Sequence, residues 1–290
     1  MADKESSQSA MGVAMLRSIE SQKPEGERIC YDPLAHFFVP GGFGAFLSKA
    51  IVSSPLYDRL APGAMAFIVG RERFFDDYLV RCLEEGLDQL VILGAGFDTR
   101  PCRIQGMENV RVFEIDRPAT QATKLANLKK ALPALPPNVS FVPMDFNTQS
   151  LGERLASAGY DERAKTVFLW QGVVYFLTPV GVDSTLAFMV HHSGPGSSVV
   201  FDYFYSETID PSSRMGKQLR AASRISGEAY LFGIDKGNVT AFLEARGFSQ
   251  VQDLTMDELK ELYFTGPNAH RILQEGIAIA TARVEGASPR

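Results

Sequence analysis

Hydrophobic residues follow a helical spacing through the first third of the chain. Over residues 11–87, apolar positions recur three or four residues apart, which predicts helices. Glycine, proline and serine cluster at residues 39–44 and 53–56, where we expect the helical pattern to break. The spacing is densest over residues 64–85, AMAFIVGRERFFDDYLVRCLEE, and Gly86 is expected to end that helix.

After residue 87 the pattern changes to short apolar runs that alternate with amphipathic helical stretches. Such alternation is typical of a parallel sheet whose strands are connected by helices. The predicted strands are QLVILGAG, VRVFEID, VSFVPMDF, KTVFLWQG, SSVVFDYF, SQVQDL and GIAIATARV. The sequence therefore predicts an α/β protein with a doubly wound, seven-stranded sheet.

We expect one compact domain. Residues 1–87 are predicted to form an N-terminal helical cap or lid, and residues 88–290 the ligand-binding core. Residues 205–236 interrupt the alternation after the fifth strand and are predicted to form a helical lid insertion. Residues 1–10 are polar, and we expect them to be disordered.

The composition disfavours several classes of function. The formal net charge is −5, and an acidic chain lacks the broad basic face that binds nucleic acids. No apolar run approaches the ~18 residues of a membrane span, and the polar N-terminus does not resemble a signal peptide. The 3 cysteines and 4 histidines show no metal-ligand spacing. We therefore expect a cytoplasmic protein with reduced thiols and without a metal, nucleic-acid or membrane partner.

The stretch VILGAGFDTRPCRI, residues 91–104, joins the first predicted strand to a helix through Gly94 and Gly96. In open α/β sheets, ligands bind at the carboxyl ends of strands, and glycines there let the backbone approach a ligand closely. A dinucleotide fingerprint would place a third glycine where this chain has Thr99. A pyrophosphate cofactor is therefore less favoured, and a tight turn without a ligand is the alternative.

Carboxylates follow the next two strands. Asp116 ends the second strand at the distance from the glycines where an acid binds a ribose diol. Glu114 is the competing candidate, and helix capping by Asp116 is the alternative, since Pro118 suits the first turn of a helix. Asp145 ends the third strand, and with Phe146 it suits an adenine ring. Together these strand ends describe a pocket for adenosine without phosphates, for which S-adenosylmethionine is the common cofactor.

The fourth strand leads into WQGVVYFLTP. We place Gln171 beside the methionine part of such a cofactor. Trp170 is a candidate pocket wall, with burial in the core as the alternative. Tyr175 is a candidate substrate contact, with packing as the alternative, and Tyr203 in the fifth strand is a second candidate.

Arg71 and Arg73 lie in the apolar, aromatic helix before the first strand. An arginine here can grip a methionine carboxylate with a two-pronged hydrogen bond. Surface pairing with Glu72 or Asp76 is the alternative.

These motifs resemble those of the leucine carboxyl methyltransferase family, which includes polyketide O-methyltransferases of the tetracenomycin type. The resemblance rests on VILGAGFDTRPCRI, VFEIDRP, MDF and WQGVVYFLTP, and on GERICYDPLAHFF and GRERFFDDYL nearer the N-terminus. It runs from about residue 27 to residue 205. It implies a class I methyltransferase fold of Rossmann-like type with an added helical cap, and S-adenosylmethionine as the cofactor.

The resemblance also implies roles for single residues. The matching positions are Arg71, with Arg73 as its neighbour, for the cofactor carboxylate, Gly94 for the loop, Asp116 for the ribose, and Asp145 with Phe146 for the adenine. Gln171 falls where relatives often have Glu, and a neutral amide lacks the charge that attracts an ammonium group.

We expect methyl transfer to a carboxylate or hydroxyl oxygen of a small molecule or a peptide C-terminus. A carboxylate is ionised at neutral pH and needs no base, whereas a phenol with a pKa near ~10 can need one. No base is apparent in the sequence. The alternatives are an NAD(P)-dependent oxidoreductase, which Thr99 disfavours, and a non-catalytic protein that binds the cofactor in the same fold. The sequence fixes neither the acceptor nor the oligomeric state.

Overall fold

Seven strands form a mixed sheet in the computed structural model, which describes residues 8–39, 41, 50, 59, 61–146 and 148–284. The strands are β1 (Gln89–Leu93), β2 (Arg111–Asp116), β3 (Val139–Pro143), β4 (Thr166–Trp170), β5 (Ser198–Phe204), β6 (Phe248–Leu254) and β7 (Ile277–Val284). Their order in the sheet is β3-β2-β1-β4-β5-β7-β6. β7 is antiparallel to both of its neighbours, and the other pairs are parallel. The predicted seven-stranded, doubly wound sheet is confirmed.

Two of the described α-helices precede β1, and the others lie in the intervals between the strands. The described α-helices are α1 (Gln8–Ser21), α2 (Ala64–Glu84), α3 (Arg100–Arg103), α4 (Pro118–Ala131), α5 (Leu151–Ser157), α6 (Pro179–His191), α7 (Ser206–Ile209), α8 (Arg214–Ser226), α9 (Val239–Glu244) and α10 (Met256–Tyr263). Local sequence sets several of their ends. Pro118 opens α4 at the position where its missing N–H has no helical partner. Thr255 and Glu258 form a reciprocal capping box at the start of α10.

The central strands are buried on both faces, which explains their continuous apolar runs. Leu90 and Ile92 of β1 pack into the core on the α2 side of the sheet. Val91 and Leu93, which alternate with them, pack into the core that includes residues of α5, α6 and α9. The sheet is thus covered on both sides, and its carboxyl edge is left as the place where loops converge.

The N-terminal segment differs from expectation in two respects. Residues 8–10 were expected to be disordered but belong to α1, because Ala14 on the same helix packs against Phe38 and Phe97. Residues 22–34 form turns rather than a helix. The break predicted at 53–56, most of the break at 39–44, and residues 1–7 lie outside the described residues.

The predicted insertion after β5 is partly helical. It contains α7 and α8, and residues 227–236 return without regular structure to the sheet, where Ile234 forms a bridge with Tyr205. Its role as a lid and the division of the chain at residues 87 and 88 stay predictions. In the described part of the chain, no helix combines the length and the apolar character that crossing a membrane demands.

We expect Leu79→Ala to lower the free energy of unfolding by about 2–5 kcal/mol, because Leu79 is fully buried in the core between α2 and the sheet. Val80→Ala is the matched control on the same helix, since Val80 is 41% exposed, and we expect a change within about 0.5 kcal/mol. Urea denaturation monitored by circular dichroism measures both. Equal losses in the two variants would contradict the packing of α2 described above.

Candidate functional site

A cavity of about 360 Å³ lies where β1, β2, β3 and β4 end. Residues of α1 and α2, which precede β1 in the sequence, form part of its lining. Residues of the insertion after β5 and of β7 form further parts of its walls. Of the residues singled out in the sequence, those that line it are Arg71, Gly94, Gly96, Asp116, Asp145, Phe146, Gln171 and Tyr175. The structure therefore brings together side chains that are about 100 residues apart in the sequence.

In the glycine loop after β1, Gly94 and Gly96 have backbone conformations that other residues rarely adopt. Gly94 has φ +65°, and a Cβ atom there would lie 2.3 Å from Cγ2 of Val173. Gly96 has φ +48°, and its N–H donates to the carboxylate of Asp116. Neither position accepts a side chain without strain. The loop thus presents bare backbone to the cavity and ties itself to the end of β2.

Asp116 reaches the cavity, whereas its competitor Glu114 does not line it. Asp116 accepts hydrogen bonds from the N–H groups of Gly96 and Arg117, and burial raises the pKa of its carboxyl group. Glu114 is buried and accepts from Nζ of Lys124 at 2.5 Å. Burial raises the pKa of Glu114 to about 7, although Lys124 opposes the shift. Because Glu114 is occupied by Lys124, Asp116 is the acid available to a ligand.

Asp145 and Phe146 lie at the cavity just beyond the end of β3, and both are half-buried. The N–H of Asp145 donates to Oε1 of Gln149 at 3.0 Å. This bond fixes the backbone of the turn that carries the two side chains. A carboxylate and an aromatic ring therefore stand next to each other at this end of the cavity.

Arg71 is 3% exposed and pairs with a carboxylate that the sequence reasoning missed. Its Nη1 donates to Oδ2 of Asp202 at 2.6 Å, and the N–H of Gly172 donates to Oδ1 of Asp202 at 2.6 Å. Burial alone would lower the pKa of Arg71, but Asp202 raises it above its ordinary value. Within the described part of the chain, the buried Nε of Arg71 has no hydrogen-bond partner. Arg71 is thus anchored at one end and retains an unused donor.

Arg73 is not brought to the cavity. Positions 71 and 73 are two residues apart on one helix, which places their side chains about 200° apart. Arg73 is exposed and donates through Nε to Asp77 at 2.9 Å. Only Arg71 of the predicted arginine pair can therefore contact a ligand in this cavity.

Tyr203 and Trp170 also lie away from the cavity, in the core. The hydroxyl of Tyr203 donates to Oδ1 of Asp253 at 2.8 Å. Side chains alternate along β5, so Tyr203 faces the side opposite to Asp202. Trp170 is fully buried against Phe201. Tyr203 is therefore a packing residue in this structure. Trp170 is buried in the core rather than forming a wall of the cavity.

A buried group of charges adjoins the cavity and contributes some of its lining. We call it the arginine network: Arg17, Asp32, Glu72, Asp76, Asp98, Arg100 and Arg103. Arg100 is its centre and is fully buried. Its guanidinium donates to Glu72 at 2.6 Å, to Asp76 at 2.7 Å and to Asp98. Burial alone would raise the pKa of Asp98, but Arg100 lowers it to about 2. Arg100 therefore holds the carboxylate of Asp98 ionised in the interior.

Glu72 and Gln171 connect the arginine network to the cavity, which both residues line. Nε2 of Gln171 donates to Oε1 of Glu72 at 2.6 Å. Oε1 of Gln171 is buried and has no hydrogen-bond partner among the residues that the structure describes. Sequence reasoning missed Glu72 as a cavity residue, and assigned it only to surface pairing. The available signal was a carboxylate within the apolar, aromatic pattern of α2.

Another part of the cavity is lined by an aromatic wall, formed by Tyr175, Phe176, Phe204 and Tyr230. The rings of Tyr175 and Tyr230 are stacked at 5.5 Å, and Phe204 meets Tyr230 edge-on at 5.6 Å. Burial raises the pKa of Tyr175 far above its ordinary value, and the negative charge of Asp202 adds to the shift. The phenol of Tyr175 therefore stays protonated at neutral pH. Such a wall suits an apolar or aromatic ligand.

The four histidines, all of which the structure describes, lie outside the lining of this cavity. Within the described ranges, no group of three or more His, Cys, Asp and Glu side chains has the arrangement of a metal site. The ionisable groups at the aromatic wall are therefore tyrosines.

A family model described as leucine carboxyl methyltransferase matches residues 10–190 of the chain. A Bacillus subtilis protein provisionally named S-adenosyl-L-methionine-dependent methyltransferase YktD is 36% identical over 185 residues, which are 62% of this chain and 60% of that protein. A Mycobacterium marinum protein with the same provisional description is 30% identical over 257 residues, 84% of this chain and 78% of that protein.

Solved structures show the same fold at low sequence identity. A methyltransferase provisionally assigned in Thermobifida fusca superposes with a TM-score of 0.61 at 14% identity, over 97% of this chain and 96% of that chain. The carbon methyltransferase CurJ superposes with a TM-score of 0.51 at 14% identity, over 97% of this chain and 68% of the CurJ chain. The predicted class I methyltransferase fold of Rossmann-like type is confirmed.

We expect Arg71→Met to lower the free energy of unfolding by about 3–5 kcal/mol, because it leaves Asp202 charged and buried without its partner. Arg73→Met is the matched control two residues away. The side chains of Arg73 and Asp77 are 47% and 36% exposed, and an exposed ion pair contributes at most about 0.5–1 kcal/mol. Chemical denaturation at constant salt measures both variants. A larger loss for Arg73→Met would contradict the placement of the two arginines.

Proposed function

The chain belongs to the leucine carboxyl methyltransferase family, and from this premise we propose that it transfers a methyl group from S-adenosylmethionine to an oxygen atom. At the coarser level, the protein is an S-adenosylmethionine-dependent methyltransferase. The finer proposal names a carboxylate or hydroxyl of a small molecule or a peptide C-terminus as the acceptor. One observation carries it: the glycine loop, the strand-end carboxylates Asp116 and Asp145, and the aromatic wall line one cavity, and none of the four histidines belongs to its lining.

The residues of the cavity fit the cofactor. Gly94 leaves no room for a Cβ atom, so the loop lets a ligand meet backbone. We propose that Asp116 binds the ribose hydroxyls and that Asp145, with Phe146, binds the adenine. The Nε donor of Arg71 is buried and finds no partner in the described ranges, which supports a role of Arg71 in binding the methionine carboxylate.

The chemistry asks little of the protein beyond binding and alignment. When bound, S-adenosylmethionine supplies a methyl group that its sulfonium has already activated. The aromatic wall positions the acceptor and keeps water away, which strengthens polar interactions inside the cavity. Tyr175 stays protonated, so we propose that the acceptor brings its own ionised oxygen and that no side chain of the wall acts as a general base.

The alternative functions gain no specific support from the cavity. Thr99 stands where a dinucleotide fingerprint has glycine and is fully buried, which argues against a nicotinamide cofactor. A non-catalytic protein of the same fold would bind the cofactor equally well. Transfer of an isotopically labelled methyl group to an acceptor separates that alternative from the proposed enzyme.

The cysteines support a reducing, cytoplasmic setting, which we include in the proposal. Cys30, Cys82 and Cys102 are free thiols. Burial raises the pKa of all three, for Cys102 to about 11. A protonated thiol is a poor nucleophile, so these residues act as packing side chains.

We expect Asp116→Ala to weaken binding of S-adenosylhomocysteine by about 10- to 100-fold, because it removes charged hydrogen bonds to the ribose. Isothermal titration calorimetry measures the dissociation constant. Asp183→Ala is the matched control, since Asp183 forms an exposed pair with Arg246 far along the chain. Unchanged affinity in Asp116→Ala, or a preference of the native protein for NAD, would contradict the proposal.

We expect the pH profile of kcat/KM to follow the ionisation of the acceptor. A carboxylate acceptor with a pKa near ~4.3 gives a flat profile between pH 6 and 9 by this estimate, and a phenol near ~10 gives a tenfold rise per pH unit. The measurement compares two acceptors of different pKa. An inflection between about pH 6 and 8 that is the same for both acceptors would reveal a base on the protein and refute this part of the proposal.

A further inference from the structure

Glu72 and Gln171 form a hydrogen bond whose direction determines which atom of the Gln171 amide is left for the amino-acid part of the cofactor. The inference drawn from it rests on the proposed function. An ionised carboxylate only accepts hydrogen bonds, so the amide of Gln171 must turn its NH₂ group toward Glu72. The 2.6 Å contact between Nε2 and Oε1 has this sense. The carbonyl oxygen of Gln171 is therefore the end of the amide that Glu72 leaves free.

Glu72 is held firmly enough to orient its neighbour. It is 1% exposed, and its Oε2 accepts from Nη2 of Arg100 at 2.6 Å. Arg17 lies 3.7 Å from its other oxygen. Burial alone would raise the pKa of Glu72, but Arg100, Arg17 and Arg71 together lower it. The carboxylate is thus ionised and fixed on the face of α2 that lines the cavity.

The arginine network carries more negative than positive charge. Three arginines, Arg17, Arg100 and Arg103, face four carboxylates, those of Asp32, Glu72, Asp76 and Asp98. Arg71 is balanced separately by Asp202. One formal negative charge therefore remains next to the cavity, in an interior where charges interact more strongly than in water.

The unpaired carbonyl oxygen of Gln171 and the excess negative charge of the network favour the same kind of ligand group. A buried acceptor without a partner is costly unless a ligand completes it. A donor that also carries positive charge satisfies both the oxygen and the network. An ammonium group has three N–H donors and one positive charge, as the lysine side chain illustrates.

We propose that Glu72 is a positioning residue for the ammonium group of the cofactor's methionine part. It fixes the amide of Gln171 so that Oε1 accepts from the ammonium, and it supplies the negative charge that the amide lacks. Arg71 binds the carboxylate of the same amino acid. In this proposal Arg71 binds the carboxylate of the zwitterion, and Gln171, oriented by Glu72, binds its ammonium group.

The test compares two ligands that differ in the amino-acid part. S-adenosylhomocysteine carries the ammonium and carboxylate groups, and 5′-methylthioadenosine carries neither. Gln171→Met removes the amide at nearly constant volume and leaves the contact between Glu72 and Arg100 in place. We expect it to weaken binding of S-adenosylhomocysteine by about 10- to 100-fold. Binding of 5′-methylthioadenosine is expected to stay within about twofold, since this ligand has no ammonium group.

Glu72→Gln tests the charge itself. It keeps an acceptor for the amide of Gln171 but removes the negative charge, and we expect about tenfold weaker binding of S-adenosylhomocysteine with 5′-methylthioadenosine unchanged. The double substitution Glu72→Gln, Gln171→Glu returns the charge to the pair and is expected to restore most of the lost affinity. Glu84→Gln is the control on the same helix, where Glu84 is exposed.

The outcomes separate this inference from the proposed function. Loss confined to S-adenosylhomocysteine, with recovery in the double variant, supports the role of Glu72. A parallel loss of both ligands in Gln171→Met indicates a purely structural role and overturns the inference, as does unchanged affinity for both. If the native protein binds neither ligand, the proposed function itself fails.

Discussion

The buried guanidinium of Arg100 is the interaction on which the ligand-binding half of the molecule depends. It stands at the start of α3, directly after the glycine loop, and reaches Glu72 and Asp76 on α2 as well as Asp98 in the loop. An unpaired charge at this depth would cost several kcal/mol. The helix and the loop are therefore held in one relative position, because displacing either would leave charges without partners. The walls of the cavity follow from that constraint.

Much of this arrangement could be predicted from local sequence, because the relevant signals are local. A buried parallel strand is a short apolar run, and each of the seven runs predicted after residue 87 became a strand. The residue that follows such a run must lie at the carboxyl edge of the sheet. Gly94, Asp116 and Asp145 were placed at the cavity by this reasoning alone, and the structure puts all three there.

Other features depend on which face of an element is buried, and a single sequence does not state this. Both Arg71 and Arg73 were candidates for the cofactor carboxylate, and packing places only Arg71 on the inward face of the helix. Tyr203 was a candidate substrate contact, yet it faces the core, and Asp202, its neighbour on the opposite face, is the residue that pairs with Arg71. Buried charges such as Glu72 were the hardest to foresee. Their burial is tolerated only because partners from distant segments surround them.

The position of β7 has a consequence for how the chain is made. β7 lies between β5 and β6, although it follows both in sequence. While the ribosome synthesises the roughly 70 residues between β5 and β7, at about 5–20 residues per second, β5 presents an unpaired edge for several seconds. β6 emerges during that interval with no neighbour to join. Exposed strand edges invite pairing with other chains, so a nascent polypeptide of this topology passes through a period in which shielding by a chaperone would be of greatest benefit.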